Sequence, residues 1–267
     1  MTVAVITGAA SGIGAGLARH AAALGMKLVL ADWNEGALKQ VADSLPTEVL
    51  VVPTDVRDEA AVQSLAQAAY DRFGEVDLLF NNAGVLSSGL SWEIDSATWR
   101  RSLDINIGGV VNVIRAFVPR MIAANRLSRI INTSSLGGFL TSPFMSPYSA
   151  TKFAIVAITE ALAGELAAIG SKVQVSLLAP GPVKSAIMDE EAPSPTAGFM
   201  NMMRGMTSEN GMTPDEFAPL VFKAVKRNEY WIVPQSEMLD TGLRDRTEMI
   251  LARRGPTSFS LVDGERH

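Results

Sequence analysis

Residues 146–153 read SPYSATKF, with Tyr148 and Lys152 four residues apart. On a helix repeating every ~3.6 residues the two stand on one face, one turn apart, which sets an ammonium beside a phenol. A phenol with an ordinary pKa near ~10 is protonated at neutral pH and is a poor base. An ammonium ~6 Å away, at an effective dielectric of ~20, favours the phenolate by roughly 2.8 kcal/mol, or about two pKa units. Such a pair can take a proton from an alcohol and return one to a developing alkoxide. Taken alone, the same spacing also describes a tyrosine at the core edge with a lysine in solvent, so the rest of the chain must decide.

A second cluster is VAVITGAASGIGAGLA, where Gly8, Gly12 and Gly14 lie between a β-branched run and the first helical pattern. Glycines there let backbone approach a pyrophosphate, and the free N–H groups and dipole of a helix start favour negative charge. Gly8, Ser11, Gly12, Ile13 and Gly14 are therefore candidate phosphate contacts. The spacing G-x-x-x-G-x-G departs from G-x-G-x-x-G, since Leu17 stands at the third glycine's place. The run KLVLAD ends at Asp32, eighteen residues after Gly14, close to the ~20-residue offset of an acid that bonds ribose hydroxyls. The competing reading of Asp32 is a helix cap ahead of NEGAL. A carboxylate at this point repels a 2′-phosphate, and its neighbours Ser11, Trp33 and Asn34 carry no positive charge. The expected cofactor is NAD rather than NADP.

These residues need a scaffold, and the chain offers a regular one. Short apolar runs at 3–7, 27–32, 48–55, 77–84, 129–135, 173–181 and 230–233 read as seven strands. Helical patterns at 13–24, 35–44, 59–73, 98–124, 147–169 and 214–227 separate them. Runs that are apolar on consecutive residues indicate strands buried on both faces, and β-α-β succession makes the sheet parallel. The expected fold is a doubly wound, Rossmann-like α/β domain with a seven-stranded parallel sheet and helices on both faces. Residues 185–212, with six of the twelve methionines, show no clean period and are a candidate substrate lid. Residues 235–267 read as a C-terminal tail.

At 267 residues, 48% hydrophobic and 19% charged, the chain can bury a substantial core and falls within the upper size range of a single domain, 1–267. A net charge of -5 and the absence of a basic cluster longer than two residues argue against nucleic acid or an anionic membrane as partner. The chain has no cysteine, and its histidines are His20 and His267. Disulfides, thiolate chemistry, multi-histidine metal sites and serine-histidine hydrolysis are thereby excluded, and no metal is expected. With no basic leader and no run of ~18 apolar residues, a cytoplasmic protein is expected.

Seven motifs stand in order: TGAASGIG (7–14), DV (55–56), NNAG (81–84), NIGG (106–109), NTSS (132–135), Tyr148 with Lys152, and PGPVKS (180–185). The set resembles the short-chain dehydrogenase/reductase family, from residue 3 to about residue 233. The resemblance implies strand order 3-2-1-4-5-6-7 and a catalytic tetrad of Asn106, Ser135, Tyr148 and Lys152. Ser135 is preferred to Ser134 because it lies thirteen residues before Tyr148, the family's usual separation. It also implies that Asp55 and Val56 meet the adenine, that Asn82, Ala83 and Gly84 pass the adenosine side, and that Pro180, Gly181, Val183 and Ser185 meet the nicotinamide carboxamide and diphosphate. Asn106 would help hold a water linking Lys152 to solvent; its alternative is a helix-interior asparagine bonded to backbone. Ser135 would hold the substrate oxygen, where a positioned donor stabilises developing charge.

The implied activity is hydride transfer between NAD and a secondary alcohol or ketone. Trp92, Leu140, Phe144, Met145, Ile187, Met188 and the later methionines suggest an apolar pocket for a hydrophobic or aromatic substrate. The helices at 107–125 and 147–169 are apolar on most faces, which points to a homodimer or homotetramer, unless neighbouring helices of the same chain cover them. Competing readings are a nucleotide-binding sensor or scaffold without turnover, and an NADP-preferring ketoreductase.

Overall fold

The computed structural model describes residues 2–188 and 196–256. Its strands are β1 Val3–Thr7, β2 Lys27–Asp32, β3 Val49–Pro53, β4 Leu78–Asn81, β5 Ser128–Thr133, β6 Val173–Leu178 and β7 Trp231–Ile232. They form one sheet in the order β3-β2-β1-β4-β5-β6-β7, with every pairing parallel. β1 and β5 are buried at every residue, as expected of central strands covered on both faces.

Alternation sorts the side chains to two cores. Ala4, Ile6, Leu28 and Leu30 face one side, where they meet Leu17, Ala21, Phe217 and Val221. Those partners come from α1 Gly12–Ala23 and α8 Pro214–Lys226. Val5, Val29 and Ala31 face the other, packed with Val62, Leu65, Val113, Phe117 and Leu162. These belong to α3 Glu59–Phe73, α5 Gly109–Ala123 and α6 Ser146–Ala168. α2 Glu35–Asp43 lends Leu38 to the first core. Each fully buried side chain of this size contributes roughly 1.5–3 kcal/mol.

The expected helix at 98–124 is a composite of α4 Ser96–Leu103, a five-residue π turn at Asp104–Gly108, and α5. Among the described residues this 96–123 stretch is the one long and apolar enough to span a membrane by composition. Its Val113, Ala116, Phe117 and Met121 are instead packed into the core.

Two helices were not expected. α7 Ala197–Asn210 occupies the second half of the proposed lid; residues 189–195 of that lid lie outside the described residues. α9 Glu237–Leu251 occupies 15 residues of the expected tail and buries Leu239; residues 257–267 of the tail also lie outside the described residues. α7 aligns Phe199, Met203 and Thr207 at four-residue spacing, a stripe obscured in sequence by Gly198 and Gly205. α9 turns Leu239, Gly242, Leu243 and Arg246 toward the body, where a Cβ on Gly242 would sit 2.9 Å from Leu140 and the Arg246 guanidinium lies 5.1 Å from the Phe153 ring centroid. That face mixes chemistries, so hydrophobic periodicity does not reveal it.

α1 and α8 touch where Gly16 meets Pro214, and a Cβ on Gly16 would lie 2.5 Å from the Pro214 carbonyl oxygen. Gly16→Val is expected to lower stability by about 1–3 kcal/mol through overpacking. Urea unfolding measures it, and an unchanged midpoint would show that this contact yields freely.

Candidate active site

Every strand from β1 to β6 delivers its carboxyl end to one cleft of about 920 Å³, lined by Gly8, Asp32, Thr54, Asn82, Thr133 and Pro180 among others. Strand order reverses between β1 and β4, the switch point where open α/β sheets bind ligands. The volume is at the upper end of small-molecule and cofactor sites.

The β1–α1 turn forms the floor. Gly8 has φ +67° and Gly12 φ +50°, conformations that only glycine adopts freely. A Cβ on Gly8 would meet Ala83 at 2.8 Å, and one on Gly12 would meet Ser185 at 2.9 Å. Ser11 precedes α1 without making a side-chain cap, whereas Asn34, Asp58, Asp95 and Thr213 cap α2, α3, α4 and α8. The first N–H groups of α1 therefore lack the usual local acceptor at the point where Ser11, Gly12 and Ile13 line the cleft. That donor set fits a diphosphate. Gly14 does not line the cleft; it lies behind the turn, so close to the Gly8 carbonyl that a side chain there has no room.

Asp32 accepts the Ala10 N–H at 3.1 Å and the Asn34 N–H at 3.0 Å. Asn34, not Asp32, caps α2. Trp33 is 79% exposed beside it. Asp55 is gripped by Arg57, a cleft residue absent from the sequence reading, through bonds of 3.0 and 2.5 Å. The guanidinium holds the Asp55 carboxyl below its ordinary range. Asn112 of α5 holds the Val56 carbonyl at 2.9 Å. Thr7 Oγ1 accepts the Asn82 and Ala83 N–H groups at 2.9 and 3.1 Å, which seats the NNAG backbone beside Gly8.

The candidate reactive groups Ser135, Tyr148 and Lys152 gather where β5 ends and α6 begins. Ser134 Oγ donates to the Lys152 carbonyl at 2.8 Å and is buried. Ser135 Oγ instead accepts the Gly137 N–H at 3.1 Å and lines the cleft. A Cβ on Gly137 would lie 3.2 Å from the Tyr148 ring and 3.6 Å from Ser135 Oγ, so the two hydroxyl-bearing side chains meet over this glycine. Lys152 is 3% exposed, donates to the Thr133 carbonyl at 3.1 Å, and holds its Nζ 5.6 Å from the Tyr148 ring centroid.

Asn106 sits in the π turn, fully buried and behind the cleft wall. Its side chain accepts the Val85 N–H at 2.8 Å and donates to the Val85 carbonyl and to Thr151 Oγ1, each at 2.9 Å. These are backbone-clasping bonds, the alternative weighed for this residue. A Cβ on Gly84 would meet Asn106 Oδ1 at 3.2 Å and Lys152 Nζ at 3.4 Å, so both head groups converge on Gly84.

The expected depression of the phenol is corrected by its surroundings. Burial pushes the Tyr148 hydroxyl above its ordinary value, while hydrogen bonding from Ser135 pulls the other way. Burial also brings Lys152 down to about 8. A Coulomb attraction judged from spacing omits the lost hydration of the phenolate, and desolvation wins here.

On the substrate side Leu140, Met145, Ile187 and Met188 line the cleft, joined by Met203 of α7 and Met238 of α9. Trp92 and Phe144 do not. Trp92 is 79% exposed, and Phe144, held at φ +65°, packs against Phe199 with ring centroids 5.3 Å apart. Neighbouring apolar letters do not reveal which side of a loop faces the cleft. Among the described residues no group of three or more acidic, histidine or cysteine side chains is arranged to hold a metal.

The short chain dehydrogenase family model matches residues 2–195. A CLA biosynthesis dehydrogenase/reductase of Lactiplantibacillus plantarum is 32% identical, over 98% of this chain and 97% of its own. A 1-deoxy-11-beta-hydroxypentalenate dehydrogenase of Streptomyces arenae is 33% identical, over 88% of this chain and 82% of its own. A short-chain dehydrogenase/reductase from Burkholderia phymatum, solved in complex with NAD, superposes with a TM-score of 0.91 at 39% identity, covering 97% of this chain and 98% of that one.

Lys152 links the site to stability. Its folded pKa, about 8, lies below the 10.5 of an ordinary lysine, so the unfolded chain binds more protons between these values and stability rises with pH there. The burial cost is fully present below pH 8. Above pH 10 the raised Tyr148 acts in the opposite sense. Comparing wild type with Lys152→Met by denaturant unfolding, we expect the wild type to gain about 2 kcal/mol more than the variant from pH 8 to 10. Parallel stability curves would contradict this.

Proposed function

The chain belongs to the short chain dehydrogenase family, and on that premise we propose that it is an NAD-dependent oxidoreductase acting on a hydrophobic or aromatic secondary alcohol or its ketone. The observation that carries this reading is the meeting of Ser135 and Tyr148 over Gly137 at the cleft wall, with buried Lys152 one turn further along α6. The bound nicotinamide would accept or donate the hydride and, when oxidised, bring a positive charge to the site.

The chain's own residues handle the proton. In oxidation Tyr148 takes the hydroxyl proton of the alcohol as the C–H bond breaks, and in reduction it returns that proton to the oxygen. Ser135 donates to the same oxygen and stabilises its developing charge. Lys152, mostly protonated at pH 7 with a pKa of about 8, favours the phenolate while the Thr133 carbonyl fixes its position. Asn106 acts behind it by clasping Val85 and Thr151.

Asp32 at the end of β2 supports NAD over NADP, because its carboxylate opposes a 2′-phosphate. Arg57 nearby does not reverse this, since Asp55 already neutralises it. The methionine- and leucine-lined chamber supports an apolar substrate, and the relatives named as dehydrogenases are consistent with alcohol chemistry. Residues 185–188 and 196–212, the described parts of the expected lid, would cover that substrate.

For assembly, α6 leaves Ala150, Ala157, Ala161, Gly164 and Ala168 exposed along one side, small residues that let a second helix approach. This supports the reading of a homodimer or homotetramer through α5 and α6. Gel filtration is expected to give two or four times the subunit mass; elution as one subunit would end this reading.

Purified protein assayed with NAD and NADP across steroid, terpene, aryl and sugar alcohols tests the activity. We expect turnover of apolar secondary alcohols with NAD preferred, and a loss of roughly 10²–10⁴-fold in Tyr148→Phe with NADH binding retained. Cofactor binding without turnover, unaffected by that substitution, would favour a sensor instead.

A further inference from the structure

Between Pro180 and Pro182 the chain has one backbone N–H, that of Gly181, because proline has none. It donates to Gln235 Oε1 at 2.9 Å, while Gln235 Nε2 donates to the Pro182 carbonyl at 2.9 Å. Gln235 is 5% exposed. A Cβ on Gly181 would lie 2.9 Å from the Gln235 carboxamide, which therefore rests directly against the loop. The clamped segment reaches the reactive groups: the Pro180 carbonyl accepts the Leu136 N–H at 3.0 Å and the Ser135 hydroxyl at 3.5 Å. Gly181, Val183 and Ser185 form its cleft wall.

Gln235 also begins the turn that leads into α9. Its carbonyl accepts the Met238 N–H at 3.1 Å, and Met238 lines the cleft. One turn of chain thus touches the cofactor loop at one end and the substrate chamber at the other.

We propose that Gln235 is a positioning residue whose carboxamide holds residues 180–182 in the shape that receives the cofactor and orients Ser135, and that Met238 on the same turn determines which substrate bodies fit. The inference rests on the dehydrogenase reading of this cleft. Neither residue belongs to a recognisable motif, and both lie in the segment that reads as a tail.

Fluorescence titration with NADH, which needs no turnover, tests the clamp. Gln235→Leu leaves the Gly181 N–H without its acceptor and is expected to weaken NADH binding roughly tenfold. Gln235→Glu keeps an acceptor for Gly181 but sets a carboxylate against the Pro182 carbonyl, and is expected to fall between wild type and Gln235→Leu. Met238→Ala is expected to change the ratio of kcat/KM for a bulky and a small secondary alcohol about fivefold. If both Gln235 variants bind NADH as tightly as wild type and merely melt earlier, the residue is structural and the clamp is wrong. Should Gln235→Leu fail to fold, Gln235→Glu decides the matter in the same way. An unchanged substrate ratio in Met238→Ala overturns the assignment of that residue. Wild-type protein that binds no NADH overturns the dehydrogenase reading itself, a failure distinguishable from these.

Discussion

The constraint on which the proposed chemistry of this cleft depends is a lysine side chain, Lys152, nearly sealed from water. Removing an ammonium from solvent is costly, and the protein offsets part of that cost by giving Nζ the Thr133 carbonyl at 3.1 Å. The charge is weakened but kept, with a pKa of about 8. The phenol one turn earlier is half-buried at the cleft wall, and that burial moves it upward. The pair is therefore not pre-ionised by the chain alone. The site stores a cation beside a protonated tyrosine, and further positive charge is needed to shift the proton at neutral pH.

The surrounding fold can be understood as support for that arrangement. The buried ends of β4 and β5 are tied to the helices by side-chain amides: Asn81 bonds the Val110 carbonyl and Asn132, and Asn132 bonds Thr159 of α6. Asn106 adds a second tie from the π turn to Thr151, whose hydroxyl in turn bonds the Tyr148 carbonyl. α6 is thus fixed at several levels along the face that carries Tyr148 and Lys152. Rigid placement matters because proton transfer is sensitive to sub-ångström geometry. A π turn at this point is consistent with the tendency of such insertions to occur at functional sites.

Much of the scaffold was legible in the residues. Consecutive apolar runs such as VAVIT and RIINT announce buried parallel strands, and the glycine turn announces a close backbone approach. The strand order itself came from family resemblance rather than from periodicity. The π turn is not specified by the residues: Gly108 and Gly109 weaken the helical pattern at 98–124, but a glycine pair does not say whether the helix ends, bends or widens. α9 is not evident from periodicity because the two leucines of its inward face, Leu239 and Leu243, share that face with Gly242 and Arg246 instead of forming a long apolar stripe. Trp92 looked like a pocket residue and is exposed, while Met203, Met238, Arg57 and Gln235 line or brace the cleft without belonging to any motif. Spacing placed Tyr148 near Lys152 correctly but could not show the opposing effect of burial on the phenol, since desolvation depends on the whole enclosure and not on the pair.

That effect is directly measurable. The phenolate absorbance of wild type minus that of Tyr148→Phe, followed against pH, isolates the one hydroxyl at issue. Burial outweighing the neighbouring ammonium predicts no Tyr148 phenolate below pH 10 in the protein alone, and its appearance at lower pH once NAD is added. A phenolate already present near neutrality without cofactor would mean that Lys152 suffices, and would contradict the account.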